Sequence, residues 1–270
     1  MSIPPLQAVT AAKPVAPYIG GKRSLAKRLC ALIEATPHNL YAEPFVGMGG
    51  VFLRRSKAPT AEVINDANAD VSNLFRILQR HYPQFMEVLR FQLTSRREFE
   101  QLSRTDPTTL TDLERAARFL YLQRSAFGGK VVGRNFAMDK EGRGARFNLT
   151  RIAPLLEDVH ERLAGVSIEA MDFGRFIRTY DRPGALFYLD PPYWGNKDDY
   201  DAPFQRADFE RLAGCLKGLR GRFILSLNDR PEVRECFAFA DVDEVELSYG
   251  ISASGATKAR EVILTGGGSV

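Results

Sequence analysis

The chain has 270 residues, of which 44% are hydrophobic and 26% are charged, and its formal net charge is +4. This composition suits one domain, or one domain with a sizeable insertion, and excludes a mainly disordered chain. The mild basic excess is compatible with a nucleic-acid partner without requiring one.

Cysteine spacing and hydropathy exclude further classes. The three cysteines, Cys30, Cys215 and Cys236, lie far apart and form no Cys-X-X-Cys pair, which argues against a disulfide framework or a zinc site. No apolar run approaches the length of a membrane helix, and the first residues lack the basic-then-apolar order of a signal peptide. We therefore expect a cytoplasmic protein that binds neither metal nor membrane.

The first part of the chain predicts alternating helices and strands. Residues 1–17 are rich in proline and alanine without a period, and we expect a loose arm. From Lys22, "KRSLAKRLCALIEA" has helical spacing, "LYAEPFVGMGG" predicts a strand with a glycine-rich turn, and "VFLRR" predicts the start of a helix. "EVINDANAD" predicts the next strand, which completes a β-α-β unit.

A mainly helical insert is predicted next, from "VSNLFRILQRHYPQ" to about Ala126. The segment "RSAFGGKVVGRNFAMDKEGRGARFN" then predicts a basic hairpin or loop, with Arg124, Lys130, Arg134, Lys140, Arg143 and Arg146. Strands return at "VSIEAMDF", "ALFYLDPPY" and "RFILSLND", and "DEVELSYGIS" and "REVILTGG" predict an antiparallel edge joined by a Ser/Gly/Ala/Thr turn. The predicted fold is an α/β sheet from residues 18–75 and 161–270, interrupted by an insert at 76–160.

Two polar features suggest a nucleotide-like ligand. Glu43 lies at a strand end before Gly47 and Gly49, which would allow a ligand to approach the backbone. The turn lacks the further glycine of a dinucleotide fingerprint and the Gly-Lys-Ser/Thr of a phosphate loop. Asp66 ends the next strand, where a carboxylate can accept both ribose hydroxyls of an adenosine. A tight turn without a ligand, and an Asx turn at Asp66, remain the simpler alternatives.

The segment "FYLDPPYWG", residues 187–195, ends a strand that is predicted to be buried on both faces. Pro191 and Pro192 remove two backbone donors and fix φ, so the turn after Asp190 is stiff. Ligands of open α/β sheets bind beyond the carboxyl ends of strands, so Asp190, the Pro191 carbonyl and Tyr193 are expected to face a ligand. The alternative is a rigid surface turn with a solvated carboxylate.

In this order, "YIGGKRSL", "AEPFVGMGG", "INDAN", "DF" at 172–173 and "DPPY" resemble the motifs of the Dam-like (D12 class) DNA adenine-N6 methyltransferases. The resemblance covers roughly residues 18–75 and 165–265. It implies a Rossmann-like methyltransferase that uses S-adenosylmethionine, with the insert as the target-recognition domain. The cofactor would contact Tyr18 and Lys22, then Glu43, Phe45, Gly47 and Gly49 on its methionine side, Asp66 at its ribose, Asp172 and Phe173 at its adenine, and Asp190 beside the substrate.

The chemistry of adenine N6 accounts for the aspartate and prolines. The N6 lone pair is delocalised into the ring, so an enzyme must localise it before N6 can attack a methyl group. Asp190 and the Pro191 carbonyl can each accept a hydrogen bond from N6 and stabilise the developing positive charge. Pro192 keeps these acceptors rigid, and Tyr193 offers a face on which a flipped base can stack. This chemistry requires no metal.

The insert departs from the family pattern, so the recognised sequence stays open. "RGARFNLTRI" lacks the Pro-Phe-Gly that commonly follows Phe-Asn in relatives, and "FGGKVVGRN" is only loosely similar to their base-reading loop. A solvated surface is the alternative for each basic residue. Arginine can bind guanine or phosphate bidentately and asparagine can pair with adenine, so the predicted contacts to double-stranded DNA are Arg124, Lys130, Arg134, Asn135 and Arg146.

Two other functions stay open from the sequence. Cytosine-N4 methylation uses the same amino chemistry, although relatives of that type more often carry serine before Pro-Pro-Tyr, so Asp190 favours adenine. A catalytically silent DNA-binding protein of the same fold is the alternative from another class, and the intact motifs argue against it. The residues do not distinguish a restriction-modification enzyme from a phage or solitary one, and a monomer is the working assumption.

Overall fold

The computed structural model describes residues 3–22, 24–131, 133–137, 145–196, 204–249 and 257–268. A seven-stranded sheet lies at its centre, in the order β5-β4-β2-β6-β7-β9-β8. Its strands are β2 (Leu40–Glu43), β4 (Ala61–Asn65), β5 (Ser167–Glu169), β6 (Ala185–Leu189), β7 (Arg222–Asn228), β8 (Asp241–Tyr249) and β9 (Thr257–Gly267).

The pairing of these strands confirms the predicted α/β class. Strands β5, β4, β2, β6 and β7 are parallel, whereas β9 is antiparallel to both β7 and β8. The chain runs outward from β2 to β4 and β5 and then returns to β6 on the other side of β2. The loops after β2 and β6 therefore diverge, which opens a crevice at their carboxyl ends, the usual ligand site of such sheets.

Helices cover both faces of the sheet and bury its side chains. All five residues of β6 are buried; Leu186 and Tyr188 pack into one apolar cluster and Phe187 and Leu189 into the other. This two-sided burial explains why the strand sequence is continuously apolar. The flanking helices are α1 (Ala26–Ala35), α7 (Phe173–Tyr180), α8 (Arg206–Lys217) and α9 (Pro231–Cys236).

The connection from β2 to β4 differs from the predicted β-α-β unit. Where "VFLRR" predicted a helix, the structure has only a 3-10 turn at Phe52–Arg54. The chain then forms a short strand β3 (Lys57–Ala58), which pairs with β1 (Gln7–Ala8) in a separate two-stranded sheet. Because this pairing begins three residues after the turn, no room is left for an α-helix.

The expectation of a loose arm at residues 1–17 is wrong for the described residues 3–17. Besides the β1–β3 pairing, Val15 and Ala16 are buried, with 1% and 3% exposure. Arg124 donates a hydrogen bond to the Val15 carbonyl at 2.9 Å, and Gln123 donates one to the Pro17 carbonyl at 2.8 Å. The proline- and alanine-rich composition was misleading because small apolar side chains can fill a groove without any helical or strand period.

The insert is helical, as predicted, and shares the core of the sheet. Its helices are α2 (Ala69–Arg80), α3 (Tyr82–Arg90), α4 (Arg96–Arg104), α5 (Asp112–Ser125) and α6 (Leu149–Arg162). Phe119 of α5 and Ile64 of β4 belong to one apolar cluster. The predicted domain boundaries at 75/76 and 160/161 stay a prediction, and α2 and α6 run through them.

Some residues and one turn singled out in the sequence lie in segments that the structure does not describe. Lys140, Arg143 and the predicted Ser/Gly/Ala/Thr turn lie outside the described residues. Among the helices of the described residues, none has the length and apolar character that a membrane span requires. The described part of the chain also contains no group of three or more metal-ligating side chains.

Candidate active site

Lys22 and the Asp-Pro-Pro-Tyr motif form an ion pair at the carboxyl end of β6. The Lys22 Nζ lies 2.6 Å from Oδ1 of Asp190 and donates to the Tyr193 hydroxyl at 2.8 Å and to the Gly20 carbonyl at 3.4 Å. It also lies 4.2 Å from the centre of the Tyr193 ring. Three partners match the three donors of an ammonium group, which accounts for a lysine that is only 4% exposed.

The Asp190 carboxyl has opposing influences on its pKa. Burial raises the pKa, the Lys22 ammonium lowers it, and the buried Glu261 on β9 raises it again, with a net upward shift. Ser226 of β7 donates to Oδ1 at 3.3 Å. Both described hydrogen-bond partners, Lys22 and Ser226, are on Oδ1, so Oδ2 is the atom available to a substrate.

A partly buried asparagine, Asn228, holds the loop that follows the prolines. The Trp194 amide donates to Oδ1 of Asn228 at 3.0 Å, and Nδ2 of Asn228 donates to the Trp194 carbonyl at 3.1 Å. The Trp194 ring packs on Phe209 of α8 at a centroid distance of 4.7 Å. The sequence did not reveal this role, although Asn228 stands at the end of β7 and so belongs to the same sheet edge.

The glycine-rich turn lies directly against Tyr18. Gly47 and Gly49 have φ values of +49° and +74°, which disfavour other residues. A Cβ at Gly47 would lie 3.2 Å from the Tyr18 ring, and one at Gly49 would lie 2.7 Å from Leu53. Positive φ values and close packing together favour glycine at both positions, and Tyr18 lies adjacent to the turn.

Asp66 links its own loop to the glycine turn. Its Oδ2 accepts a hydrogen bond from the Gly47 amide at 2.8 Å, and its Oδ1 accepts one from the Asn68 amide at 2.9 Å. Burial raises the pKa of Asp66 to about 6, against the lowering effect of these two bonds. The Asn68 bond is the Asx turn considered from the sequence. Each oxygen retains a second lone pair for a hydroxyl donor.

Asn65 connects three loops of the sheet edge, a role the sequence reasoning missed. Its Nδ2 donates to the carbonyls of Pro44 and Met171 at 2.9 and 3.0 Å, and its Oδ1 accepts from the Met171 amide at 2.8 Å. The side chain is 1% exposed. A polar residue inside an otherwise apolar strand was the available signal, since a buried amide needs partners.

Phe45 and Phe173 are brought together by this link. Their ring centroids are 5.5 Å apart, and Arg211 of α8 lies 4.0 Å from the centre of the Phe173 ring. Asp172 caps α7 by accepting from the Gly174 and Arg175 amides and binds Arg211 at 2.8 Å. Partial burial raises the pKa of Asp172. The hydrogen bonds from Arg211 and from the two amides lower it by more, so the net shift of the pKa is downward.

Glu43, at the end of β2, lies buried behind the site. It is 2% exposed, and its Oε2 accepts a hydrogen bond from the Tyr41 hydroxyl at 2.6 Å. Burial raises the pKa of Glu43 to about 8; the Tyr41 bond and Arg55 lower it, and the charge of Asp190 raises it. A negative charge on Asp190 therefore disfavours ionisation of Glu43.

Comparisons with known proteins identify the family of this chain. The sequence model of the D12 class N6 adenine-specific DNA methyltransferases matches residues 18–251. The chain belongs to this family. The Lactococcus lactis subsp. cremoris Type II methyltransferase M1.LlaDCHI is 28% identical over 95% of this chain and 96% of the relative. The Haemophilus influenzae DNA adenine methylase is 27% identical over 77% of this chain and 70% of the relative.

Membership in the family decides between the functions left open by the sequence. The protein is an adenine-specific DNA methyltransferase, so the cytosine-N4 alternative is not supported, and neither is a silent DNA-binding protein. A cofactor of the S-adenosylmethionine type and a DNA substrate follow from the family. The named motif residues, in contrast, keep their individual roles only as proposals.

The predicted DNA contacts of the methyltransferase have partners within the protein. Arg124 is half-buried; besides Val15 it donates to the Arg146 carbonyl at 3.4 Å, and burial lowers its pKa. Arg146 donates to the Ala126 carbonyl at 3.3 Å, and Arg134 donates to the Lys130 carbonyl at 3.2 Å. Arg146 is nevertheless exposed, as are Lys130 and Asn135. Of this set, Arg124 has the most evident structural role.

Proposed function

We propose that this methyltransferase acts on double-stranded DNA and uses Asp190 to activate N6 of a flipped adenine beside bound S-adenosylmethionine. The Lys22–Asp190–Tyr193 cluster at the switch point of the sheet is the observation that carries the proposal. The cluster combines a partly buried carboxylate, an aromatic ring held by a hydrogen bond and a lysine, which are groups that this chemistry can use.

The residues of the crevice suit the cofactor. S-adenosylmethionine is positively charged at its sulfonium and amino groups, and the carboxyl groups of Asp66 and Asp190 follow β4 and β6. Glu43 ends β2 behind them, and with a pKa of about 8 it would serve mainly as a neutral hydrogen-bonding group. The ribose would be held by Asp66, whose Oδ2 already accepts a hydrogen bond from the Gly47 amide of the glycine turn. When bound, the cofactor supplies the methyl group. Tyr18, which lies against Gly47, and Phe45 would provide apolar surface for the cofactor.

At the substrate, Asp190 and the Pro191 carbonyl would each accept a hydrogen bond from one of the two N6 hydrogens. Oδ2 of Asp190 would take one hydrogen bond, while Lys22 and Ser226 hold Oδ1 in place. The bond strengthens as N6 becomes positive, which stabilises the transition state more than the ground state. The raised pKa of Asp190 then suits it to receive the proton that N6 must release before the product leaves.

Lys22 has two functions in this scheme. Its ammonium lowers the pKa of Asp190 against the upward effect of burial, because an opposite charge within hydrogen-bonding distance favours the charged form. Its bond to the Tyr193 hydroxyl also fixes the ring on which the flipped base would stack. The proposed contacts to duplex DNA are Lys130, Arg134, Asn135 and Arg146. Arg124 would support them indirectly, through its hydrogen bond to the Arg146 carbonyl.

A transfer assay tests the proposal. The protein is incubated with S-adenosylmethionine labelled in the methyl group and with duplex or single-stranded DNA of the same sequence, and the DNA is digested to nucleosides. We expect label in N6-methyl-2′-deoxyadenosine and faster transfer to the duplex. Label in methylcytosine, or transfer that prefers the single strand, would contradict the proposal. Methylation-sensitive sequencing of DNA from expressing cells then identifies the target sequence.

A further inference from the structure

The basic loop (residues 126–131 and 133–137) is attached to the segment that carries Lys22. The Ile19 amide donates to the Gly129 carbonyl at 3.1 Å. Gly129 has a φ of +69°, and a Cβ there would lie 3.0 Å from the carbonyl carbon of Pro17 and the nitrogen of Tyr18. The two backbones are thus in direct contact, with no side chain between them. We refer to residues 17–22 as the lysine segment.

Gln123, at the end of α5, holds this contact from inside. It is fully buried, and its Nε2 donates to the Pro17 carbonyl at 2.8 Å and to the Gly129 carbonyl at 2.6 Å. Its Oε1 accepts a hydrogen bond from Arg134 at 3.3 Å. One side chain therefore binds the lysine segment, the basic loop and a proposed DNA contact.

The lysine segment continues this connection to the reacting groups. Tyr18 lies against Gly47 of the glycine turn, and Lys22 is bound to Asp190 and Tyr193. A shift of the basic loop must therefore move the lysine segment or break the bonds of Gln123. Misplacement of a reacting group by about 1 Å is enough to cost roughly a hundredfold in rate.

We propose that Gln123 is a positioning residue, through which DNA seated on the basic loop sets the geometry of the Lys22–Asp190 pair. The proposal rests on the DNA contact proposed for Arg134. It predicts that Gln123 affects the rate of methyl transfer on bound DNA, and not the affinity for DNA or for the cofactor.

The first test replaces Gln123→Met, which keeps the length of the side chain and removes its hydrogen bonds. With a duplex that carries the enzyme's own target, we expect the single-turnover rate at saturating DNA to fall roughly ten- to hundredfold. The Kd for DNA should stay close to the wild-type value. A variant with a lower Tm and an unchanged rate would show a structural role only, and equal losses in rate and DNA affinity would show a direct DNA contact; either result overturns the proposal.

Gln79→Met is the matched control. Gln79 of α2 also uses its Nε2 to bridge two backbone carbonyls, those of Leu163 and Val166, each at 2.8 Å. It lies in the sheet-facing part of the insert and touches neither the basic loop nor the lysine segment in the described hydrogen bonds. We expect a lower Tm comparable to that of Gln123→Met, with the wild-type rate.

A second variant covers the case in which Gln123→Met does not fold. Gly129→Ala would force the basic loop away from Pro17 and Tyr18, and we expect the same loss of rate with DNA affinity retained. Its control is Gly165→Ala, because Gly165 has a φ of +76° but no atom within 4 Å of an added Cβ. Equal rates for the two alanine variants would overturn the proposal.

Hydrogen–deuterium exchange provides a readout that does not depend on methyl transfer. In the wild type, addition of target duplex should slow exchange in peptides that cover residues 18–22, and Gln123→Met should lose this response. If the wild type binds DNA without any change there, the coupling is refuted even when methylation proceeds. A wild type that shows the exchange response but methylates no adenine would instead refute the proposed function and leave the coupling supported.

Discussion

The carboxyl edge of the sheet and the basic loop use polar side chains in different ways. At the sheet edge, polar residues contact residues of other motifs: Asp190 contacts Lys22, and Asp66 contacts Gly47. In and beside the basic loop, Arg134 and Arg146 donate to the backbone carbonyls of Lys130 and Ala126. The motifs at the sheet edge therefore indicated residues that lie near one another, although not their contacts, whereas the basic composition of the loop indicated neither.

The cause of this difference is geometric. Parallel strands place their carboxyl ends at one edge, so residues that follow β2, β4 and β6 must be neighbours whatever the loops do. An arginine has five donors and can satisfy them with any carbonyl in reach. A cluster of arginines thus indicates positive charge but not the identity of the acceptor. Mutations that separate charge from structure can test this distinction.

The largest effect is expected from Asp190→Ala. The carboxylate is preorganised where charge develops on N6, and loss of one such group costs roughly a hundredfold to a thousandfold in rate. DNA binding should be largely intact. Asp190→Asn keeps an acceptor oxygen without the charge and should also be slow. Single-turnover transfer of labelled methyl groups measures both, and a rate close to wild type for Asp190→Ala would refute the mechanism.

Asp66→Ala should weaken cofactor binding and leave the fold intact. Loss of charge-assisted hydrogen bonds to the ribose costs about 1.5 to 3 kcal/mol, which is roughly ten- to 150-fold in Kd. Calorimetric titration with S-adenosylmethionine measures it. Asp181→Ala is a suitable control because Asp181 also accepts two backbone amides, those of Arg220 and Gly221, far along the chain from the glycine turn. Equal affinities of Asp66→Ala and wild type would remove Asp66 from the site.

The same carboxylate predicts a pH dependence. The pKa of Asp66 in the protein is about 6, so the charged form that accepts the ribose hydroxyls is present above that pH and is lost as the pH falls through it. Cofactor affinity of the wild type should therefore decrease below about pH 6, and that of Asp66→Ala should be flatter there. A wild-type affinity that stays constant between pH 7 and 5 would argue against a ribose bond to ionised Asp66.

Lys22→Met should have a smaller effect whose size depends on pH. Removal of the ammonium takes away the charge that lowers the pKa of Asp190, so the carboxylate protonates at higher pH and the acid limb of the rate profile moves upward. We expect roughly a tenfold lower rate at neutral pH and partial recovery in alkaline buffer. Lys57→Met, which removes an exposed ion pair with Glu34, should leave the profile unchanged. A uniform loss at every pH would contradict this role.

Much of the sheet edge could be predicted from the sequence. The apolar strand before Asp190 and the distance from Gly47 to Asp66 identified the edge and its acids, because a buried parallel strand has a continuous apolar sequence. Asn65 and Asn228 were missed, since their partners are backbone atoms of Met171 and Trp194 from other parts of the chain. Backbone carbonyls and amides carry no residue identity, so such pairs leave no motif.

The packing of residues 3–17 and of the basic loop also could not be predicted from the sequence. Val15 is buried, and the backbone around it is held by Gln123 and Arg124 of α5, which lie more than 100 residues away in sequence. Small side chains and proline give no period from which such tertiary contacts can be inferred. Without such a period, the sequence did not distinguish Arg124 from the other basic residues. In the structure Arg124 is half-buried and donates to the Val15 carbonyl, which indicates a structural role.

The smallest effect is expected for DNA binding by the arginine variants, which also test most directly how the basic loop differs from the sheet edge. Replacement of Arg134 and Arg146 with methionine should weaken DNA binding and reduce the salt dependence of log Kd by roughly one unit of slope per lost phosphate contact. Arg124→Met should instead destabilise the fold by about 1 to 3 kcal/mol, because the Val15 carbonyl loses its donor, and should leave the slope unchanged. DNA binding across a salt series and thermal unfolding measure the two effects. If Arg124→Met lowers the slope while Arg134→Met with Arg146→Met does not, the DNA surface lies on the other side of α5, and the assignment of structural and DNA-binding arginines must be reversed.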